Sequence, residues 1–271
     1  MSEAPKRVPP RLLCLVRKHY ISPNLLRVTL TGEALKGFPI NKNGSHIKLF
    51  IPREGETKPS LPRLTAAGIE WPKNRPITRA YSVRKYHPDT NELDIDFVAH
   101  GKSSPASGWA VNANEGDFIG VAGPGGPDPL LAPADWHILA GDLTAVPAIS
   151  AILETLDSKA SGHVFIEVDN LVDKHFIAHP SGINIHWILR DVSRKKNALI
   201  EAINNVAPDI GVKSISAFIA GENASVIACR DKLRVDYQLT KKNLYAVPYW
   251  RRGQDEETYH EERHTIMDQV Y

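Results

Sequence analysis

Arg79, Ala80, Tyr81 and Ser82 bring a guanidinium, a phenol ring and a hydroxyl within four positions. A guanidinium grips paired phosphates, a phenol ring stacks on a planar heterocycle, and a hydroxyl hydrogen-bonds a ring nitrogen. On a strand, alternation places Arg79 and Tyr81 on one face and Ser82 on the other. So short a pattern also occurs on ordinary strand surfaces. It gains meaning from the stretch that runs from Phe97 and Val98 through His100, Gly101, Ser103, Ser104 and Ala106 to Trp109. There a strand ends near Val98 and Gly101 opens a turn. Ser104 suits an N-cap, and Pro105 suits the first helical position, where its missing N–H costs nothing. The short helix expected over 105–111 then points free N–H groups toward the loop, which is a phosphate-binding arrangement.

A third group lies in Leu139-Ala140-Gly141-Asp142-Leu143-Thr144-Ala145-Val146-Pro147, at an expected strand-to-helix turn with Thr144 as N-cap. Ligands of open α/β sheets bind beyond the carboxyl ends of the strands, so a nucleotide would sit here, although the usual glycine fingerprint is missing. Glu167 and Asp169, ending the next strand, suit ribose hydroxyls and oppose a 2′-phosphate. Arg190, Arg194, Lys195 and Lys196, after the third strand, attract one. The choice between NADH and NADPH stays open on these residues. His260-Glu261-Glu262-Arg263-His264 has the letters of a zinc-peptidase helix, but the stretch is almost wholly polar and seven residues from the end. It reads as a solvated face, and no metal site is expected.

These groups need two different scaffolds. Up to residue 131 the chain shows six short β-type runs: 13–17, 26–30, 46–51, 78–86, 93–98 and 117–121. That spacing predicts a small antiparallel barrel, with the proline-rich stretch 52–76 as a surface excursion. The run Gly123-Pro124-Gly125-Gly126-Pro127-Asp128-Pro129 suits a boundary. Beyond it, strand-like runs at 136–140, 164–168, 183–189 and 214–220 alternate with helical ones at 145–156, 196–206 and 224–237, predicting a parallel sheet. The expected domains are therefore 1–131, 132–253 and a C-terminal extension, 254–271.

Composition agrees. The 271 residues are 42% hydrophobic and 24% charged, with Lys+Arg 33 against Asp+Glu 31, so neither disorder nor nucleic-acid binding is favoured. No run approaches the ~18 apolar residues of a spanning helix, and the N-terminus lacks an apolar signal core, so a cytoplasmic location is expected. Cys14 and Cys229 allow at most one disulfide. Nothing signals an oligomer, and monomer is the default.

Taken together, Arg79-Ala80-Tyr81-Ser82, the 100–109 loop, Gly141 to Pro147 and Tyr249-Trp250-Arg251-Arg252-Gly253 resemble the siderophore-interacting proteins. These are FAD-dependent ferric-siderophore reductases of the ferredoxin-reductase-like group. The resemblance spans essentially the whole chain. It implies a six-stranded antiparallel FAD-binding barrel followed by a nicotinamide-type parallel α/β domain. It implies that Arg79 holds the FAD pyrophosphate, that Tyr81 stacks on the flavin and that Ala80 and Ser82 lie beside it, Ser82 near N5. Phe97, Val98, His100, Gly101, Ser103, Ser104 and Ala106 would line the pyrophosphate and adenine path, and Asp142 and Thr144 would close the site. A common family form carries Gly-Pro-Ala where this chain has Ser104-Pro105-Ala106.

The implied substrate is a ferric siderophore, whose hard oxygen donors hold Fe(III) far better than Fe(II), so one-electron reduction releases the metal. Electrons would come from NADH, NADPH or a ferredoxin-type protein. The chelate is anionic, and Lys48, Arg251 and Arg252 are the candidate docking cations. The competing role for Arg251 and Arg252 is pairing with Asp255, Glu256 and Glu257. No catalytic acid or base is required. The competing readings are a non-catalytic siderophore-binding module and a flavoprotein reductase of another acceptor.

Overall fold

The computed structural model describes residues 8–101, 104–190, 197–208, 211–254 and Tyr259. The chain divides into two compact units, 1–126 and 127–271. In the first, strands β1 (Arg11–Ser22), β2 (Leu25–Thr31), β3 (His46–Ile51), β6 (Ile77–Ser82), β7 (Lys85–His87), β8 (Glu92–Val98) and β9 (Phe118–Gly125) form one antiparallel sheet. Its order is β6-β3-β9-β1-β2-β8-β7. Inward positions Leu13, Leu15, Val28, Leu30, Ile47, Leu49, Ile95 and Phe97 fill a continuous core, as period-2 alternation requires.

The run expected over 78–86 is two strands, which makes seven rather than six. The break is what closes the barrel. Val83 N donates to Ser45 O beside β3, whereas the next residue's amide, Arg84 N, donates to Asp94 O on β8. One step of chain therefore carries the backbone from one edge of the sheet to the other. The excursion 52–76 contains a small hairpin, β4 (Arg63–Thr65) with β5 (Gly68–Glu70). Lys58 ties its flank to β9 by a cation–π contact on Phe118, and Arg75 lies over Trp71 within the excursion itself. Helix α1 (Pro105–Asn112) follows β8.

The second unit holds a parallel five-stranded sheet in the order β12-β11-β10-β13-β14. Its strands are β10 (Trp136–Asp142), β11 (Ser161–Val168), β12 (Gly182–Leu189), β13 (Ile215–Glu222) and β14 (Leu244–Trp250). Helices α2 (Val146–Leu153), α3 (Ala198–Asn204) and α4 (Asn223–Asp236) supply crossovers. The crossover from β11 to β12 has only a 3₁₀ turn, Leu171–Asp173, where a helix ordinarily packs. An open groove of about 690 Å³ results, lined by Leu171, Val172, Phe176, Ile185 and Trp187, with Phe176 85% exposed. Cys14 and Cys229 are free thiols. No helix among the described residues is long and apolar enough to cross a membrane.

Candidate functional site

The β3–β6 register decides which side chains meet. Ile47 faces Tyr81, Lys48 faces Ala80 and Leu49 faces Arg79. Directly opposed residues share a sheet face, so Arg79 and Tyr81 lie with the buried Ile47 and Leu49, while Lys48 lies with Ala80 on the other. Tyr81 is half-buried and packs on Phe97, ring centroids 4.5 Å apart, and Phe97 in turn meets Trp109 at 6.1 Å. Phe97 is wholly buried, so it backs Tyr81 and its own ring offers a cofactor no surface. Arg79 Nη1 donates to the Thr78 carbonyl at 2.8 Å, which turns the guanidinium along its own strand. Ser82 is buried. Among the described residues no carboxylate pairs with the Lys48 ammonium.

After β8 the chain turns at Gly101, whose φ of +110° is a conformation that side chains rarely adopt. A Cβ there would meet nothing within 4 Å, so the glycine serves the backbone turn and leaves open space beside it. Ser107 fastens the turn: its hydroxyl accepts from His100 N at 3.2 Å and donates to Gly101 O at 3.0 Å. Ser104 occupies the N-cap of α1 with extended angles, yet its side chain makes no capping bond. Among the described residues, the N–H groups of the first turn, including that of the buried Ala106, thus keep no N-cap side-chain acceptor. Ser103 lies outside the described residues. An arginine, a half-buried phenol ring, an open glycine turn and a helix start without an N-cap side-chain bond fit a dinucleotide with its pyrophosphate at α1.

At the carboxyl ends of the parallel strands, Asp142 joins three strands of its own sheet. It is 4% exposed and its carboxylate is fully engaged within its own unit. Oδ1 accepts from Thr144 N (2.9 Å) and Thr144 Oγ1 (2.5 Å). Oδ2 accepts from Glu222 N (2.8 Å) and Trp250 Nε1 (2.8 Å). One carboxylate therefore joins the ends of β10, β13 and β14. Gly221 makes room for it: a Cβ there would stand 2.6 Å from Asp142 Oδ2. The same bond corrects Thr144, which is not the N-cap of α2. Ala145 holds that place, because the carboxylate captures the Thr144 hydroxyl. Of the pair, only Thr144 presents partly exposed surface.

The conflict between acidic and basic residues resolves into one cluster. Arg190 Nε donates to Glu167 Oε2 at 2.6 Å and Nη1 to Asp169 Oδ1 at 2.7 Å. Glu167 is 8% exposed and Asp169 78%, so one partner is a fixed anchor and the other a solvated, displaceable one. Burial alone lowers the guanidinium pKa, but the Glu167 hydrogen bond and the charges of Glu167, Asp169 and Asp142 outweigh it, leaving Arg190 raised. Its guanidinium lies 5.9 Å from the Trp250 ring. Arg194, Lys195 and Lys196 lie outside the described residues, as do Asp255, Glu256, Glu257 and the His260 to His264 stretch. Glu222 caps α4, accepting from Ala224 N and Ser225 N, and also accepts from Arg252 N at 3.4 Å. Trp250 stood inside a recognised motif, but its reach across β13 to Asp142 left no local signal. Arg251 is half-buried and Arg252 exposed at the end of β14.

Two family models match the chain: the siderophore-interacting FAD-binding domain over residues 14–128 and the siderophore-interacting protein over residues 134–253. The chain belongs to the siderophore-interacting protein family. Its first unit carries this family's FAD-binding domain, and the protein is an FAD-dependent oxidoreductase. The ferric vibriobactin reductase ViuB of Vibrio cholerae is 54% identical over 271 residues, covering 100% of both chains. The NADPH-dependent ferric-chelate reductase of Escherichia coli is 36% identical, covering 89% of this chain and 92% of that one. The crystal structure of the siderophore-interacting protein SipS from Aeromonas hydrophila superposes with a TM-score of 0.84 at 34% identity, covering 96% of this chain and 98% of that one.

Proposed function

We propose that this protein reduces ferric siderophores with electrons from NADPH and releases Fe(II) in the cytoplasm. The observation that carries the reading is the Arg79–Tyr81 face beside an uncapped α1, in a chain 54% identical from end to end to a ferric vibriobactin reductase. Arg79 and the first-turn amides of α1 hold the FAD pyrophosphate, with His100, Gly101, Ser104 and Ala106 along its path. Tyr81, backed by Phe97, offers the stacking surface for the ring, and Ala80, Ser82 and Val98 border it. Bound FAD supplies the coupling between a two-electron hydride donor and a one-electron acceptor. The protein's part is position and charge, with no group required to move a proton. Lys48, Arg251 and Arg252 attract the anionic chelate. Reduction loosens the hard oxygen donors around the iron.

Arg190 favours NADPH as donor, in keeping with the name of the Escherichia coli relative. Glu167 fixes the guanidinium, and a 2′-phosphate replaces the solvated Asp169 as its second partner. The test is steady-state reduction of a ferric catecholate with a ferrous trap, using NADPH, NADH and a reduced iron–sulfur protein in turn. Yellow protein, Fe(II) trapped with NADPH, and an NADPH preference lost in Arg190→Leu support the reading. A colourless protein that takes up no FAD overturns it. Equal rates with both nucleotides overturn the assignment of the donor.

A further inference from the structure

We propose that Lys18, on β1, is a positioning residue for FAD, fixing α1 by its C-terminus so that its N-terminal amides hold their place at the pyrophosphate. The proposal rests on the reading of α1 as the phosphate-binding helix. The Lys18 ammonium donates to Val111 O at 2.6 Å, to Ala113 O at 2.6 Å and to Ala110 O at 3.3 Å. The last four carbonyls of a helix have no partner within it, and α1 has no basic residue in its own last turn. One cation from a distant strand thus satisfies three of these groups and complements the negative end of the helix dipole. Burial, its largest cause, lowers the pKa of this ammonium.

Helix α1 has little else to hold it. Its eight residues, PASGWAVN, are too few for a self-sustaining helix. Its contribution to the barrel core is small side chains, Ala106 and Ala110, with only the partly buried Trp109 and Val111 beside them. At its other end Ser107 bolts the first turn to His100 and Gly101. Two external fastenings therefore define where the first-turn amides stand, and Lys18 is the one remote from the ligand. Because the barrel core is built on strands, loosening α1 acts on cofactor affinity more than on the stability of the empty barrel.

The experiment removes FAD from the full chain and measures its rebinding by flavin fluorescence in wild type, Lys18→Met, Lys18→Gln, Lys18→Arg and Arg79→Ala. Alongside it, the melting temperature is read with and without FAD, and amide exchange is followed across 105–113. Lys18→Met is expected to raise the FAD Kd about tenfold or more, with a small change in the melting temperature of the empty protein. Its α1 amides should exchange faster, and Lys18→Arg should recover most of the affinity. Should Lys18→Met fail to fold, Lys18→Gln is read in its place. A Kd within about twofold of wild type overturns the proposal. So does a lowered melting temperature whose increment on adding FAD is unchanged, which marks a purely structural lysine. Wild type that binds no FAD overturns the cofactor site itself, whereas wild type and Lys18→Met binding equally, with Arg79→Ala weakened, overturns Lys18 alone.

Discussion

Replacing Asp142 by Asn removes one acceptor oxygen and little else. The amide nitrogen must take one of two positions. At Oδ2 it would face two fixed donors, Glu222 N–H and Trp250 Nε1–H. At Oδ1 it would face Thr144 N–H and the Thr144 hydroxyl, which alone can turn round and accept. The second position costs less and leaves the partly buried Thr144 N–H unpaired, while the remaining bonds lose their charged acceptor. Bonds to a charged group are worth about 1.5–3 kcal/mol each, so the substitution should destabilise the second unit by about 2–4 kcal/mol. For a unit of this size that is a drop of about 5–12 °C in melting temperature. Circular dichroism and calorimetry measure it, with flavin content recorded in parallel. The expected result is a lower transition with FAD still bound. An unchanged transition together with lost flavin would refute the hub and return Asp142 to the cofactor site.

Lys48→Ala and Arg251→Ala should each raise KM for a ferric catecholate while leaving FAD bound; titration of the chelate at saturating donor reads this, and an unchanged KM removes both from docking. Gly221→Ala should lower stability by about 2 kcal/mol or more, because its φ of +127° is strained for alanine and the new Cβ meets Asp142; a melt indistinguishable from wild type would count against the crowding. Burial lowers the His137 pKa from 6.5, so the unfolded chain binds the proton first as pH falls. Its contribution is complete above pH 6.5 and is lost below it, so denaturation at pH 5 and 7.5 should show a smaller difference in His137→Asn than in wild type. Cys229 is buried and its thiol is pushed up to about 12, so a thiol reagent at neutral pH should label it only after unfolding.

Strand β1 was legible because Leu13 and Leu15 alternate with more exposed neighbours, and that alternation records its one buried face directly. Val83 and Arg84 were not, since what separates them is that one amide bonds toward β3 and the next toward β8, a fact of closure rather than of residue type. Thr144 misled for a related reason. Its hydroxyl is a good cap by local rules, but a carboxylate two residues earlier is a stronger acceptor for it. Arg79, Tyr81 and the 100–109 loop suggest phosphate and ring binding from short windows alone. Lys18, Arg190 and Trp250 act across 92, 23 and 108 positions, respectively, and nothing near them in the chain names their partners.

The missing crossover helix between β11 and β12 has a practical side. Environment-sensitive dyes brighten on apolar surfaces, and Leu171, Val172 and Phe176 offer them such a surface before any heat is applied. A dye-based melt of this protein therefore starts from a bright baseline and understates its cooperativity, and the intrinsic emission of its indoles is the sounder signal.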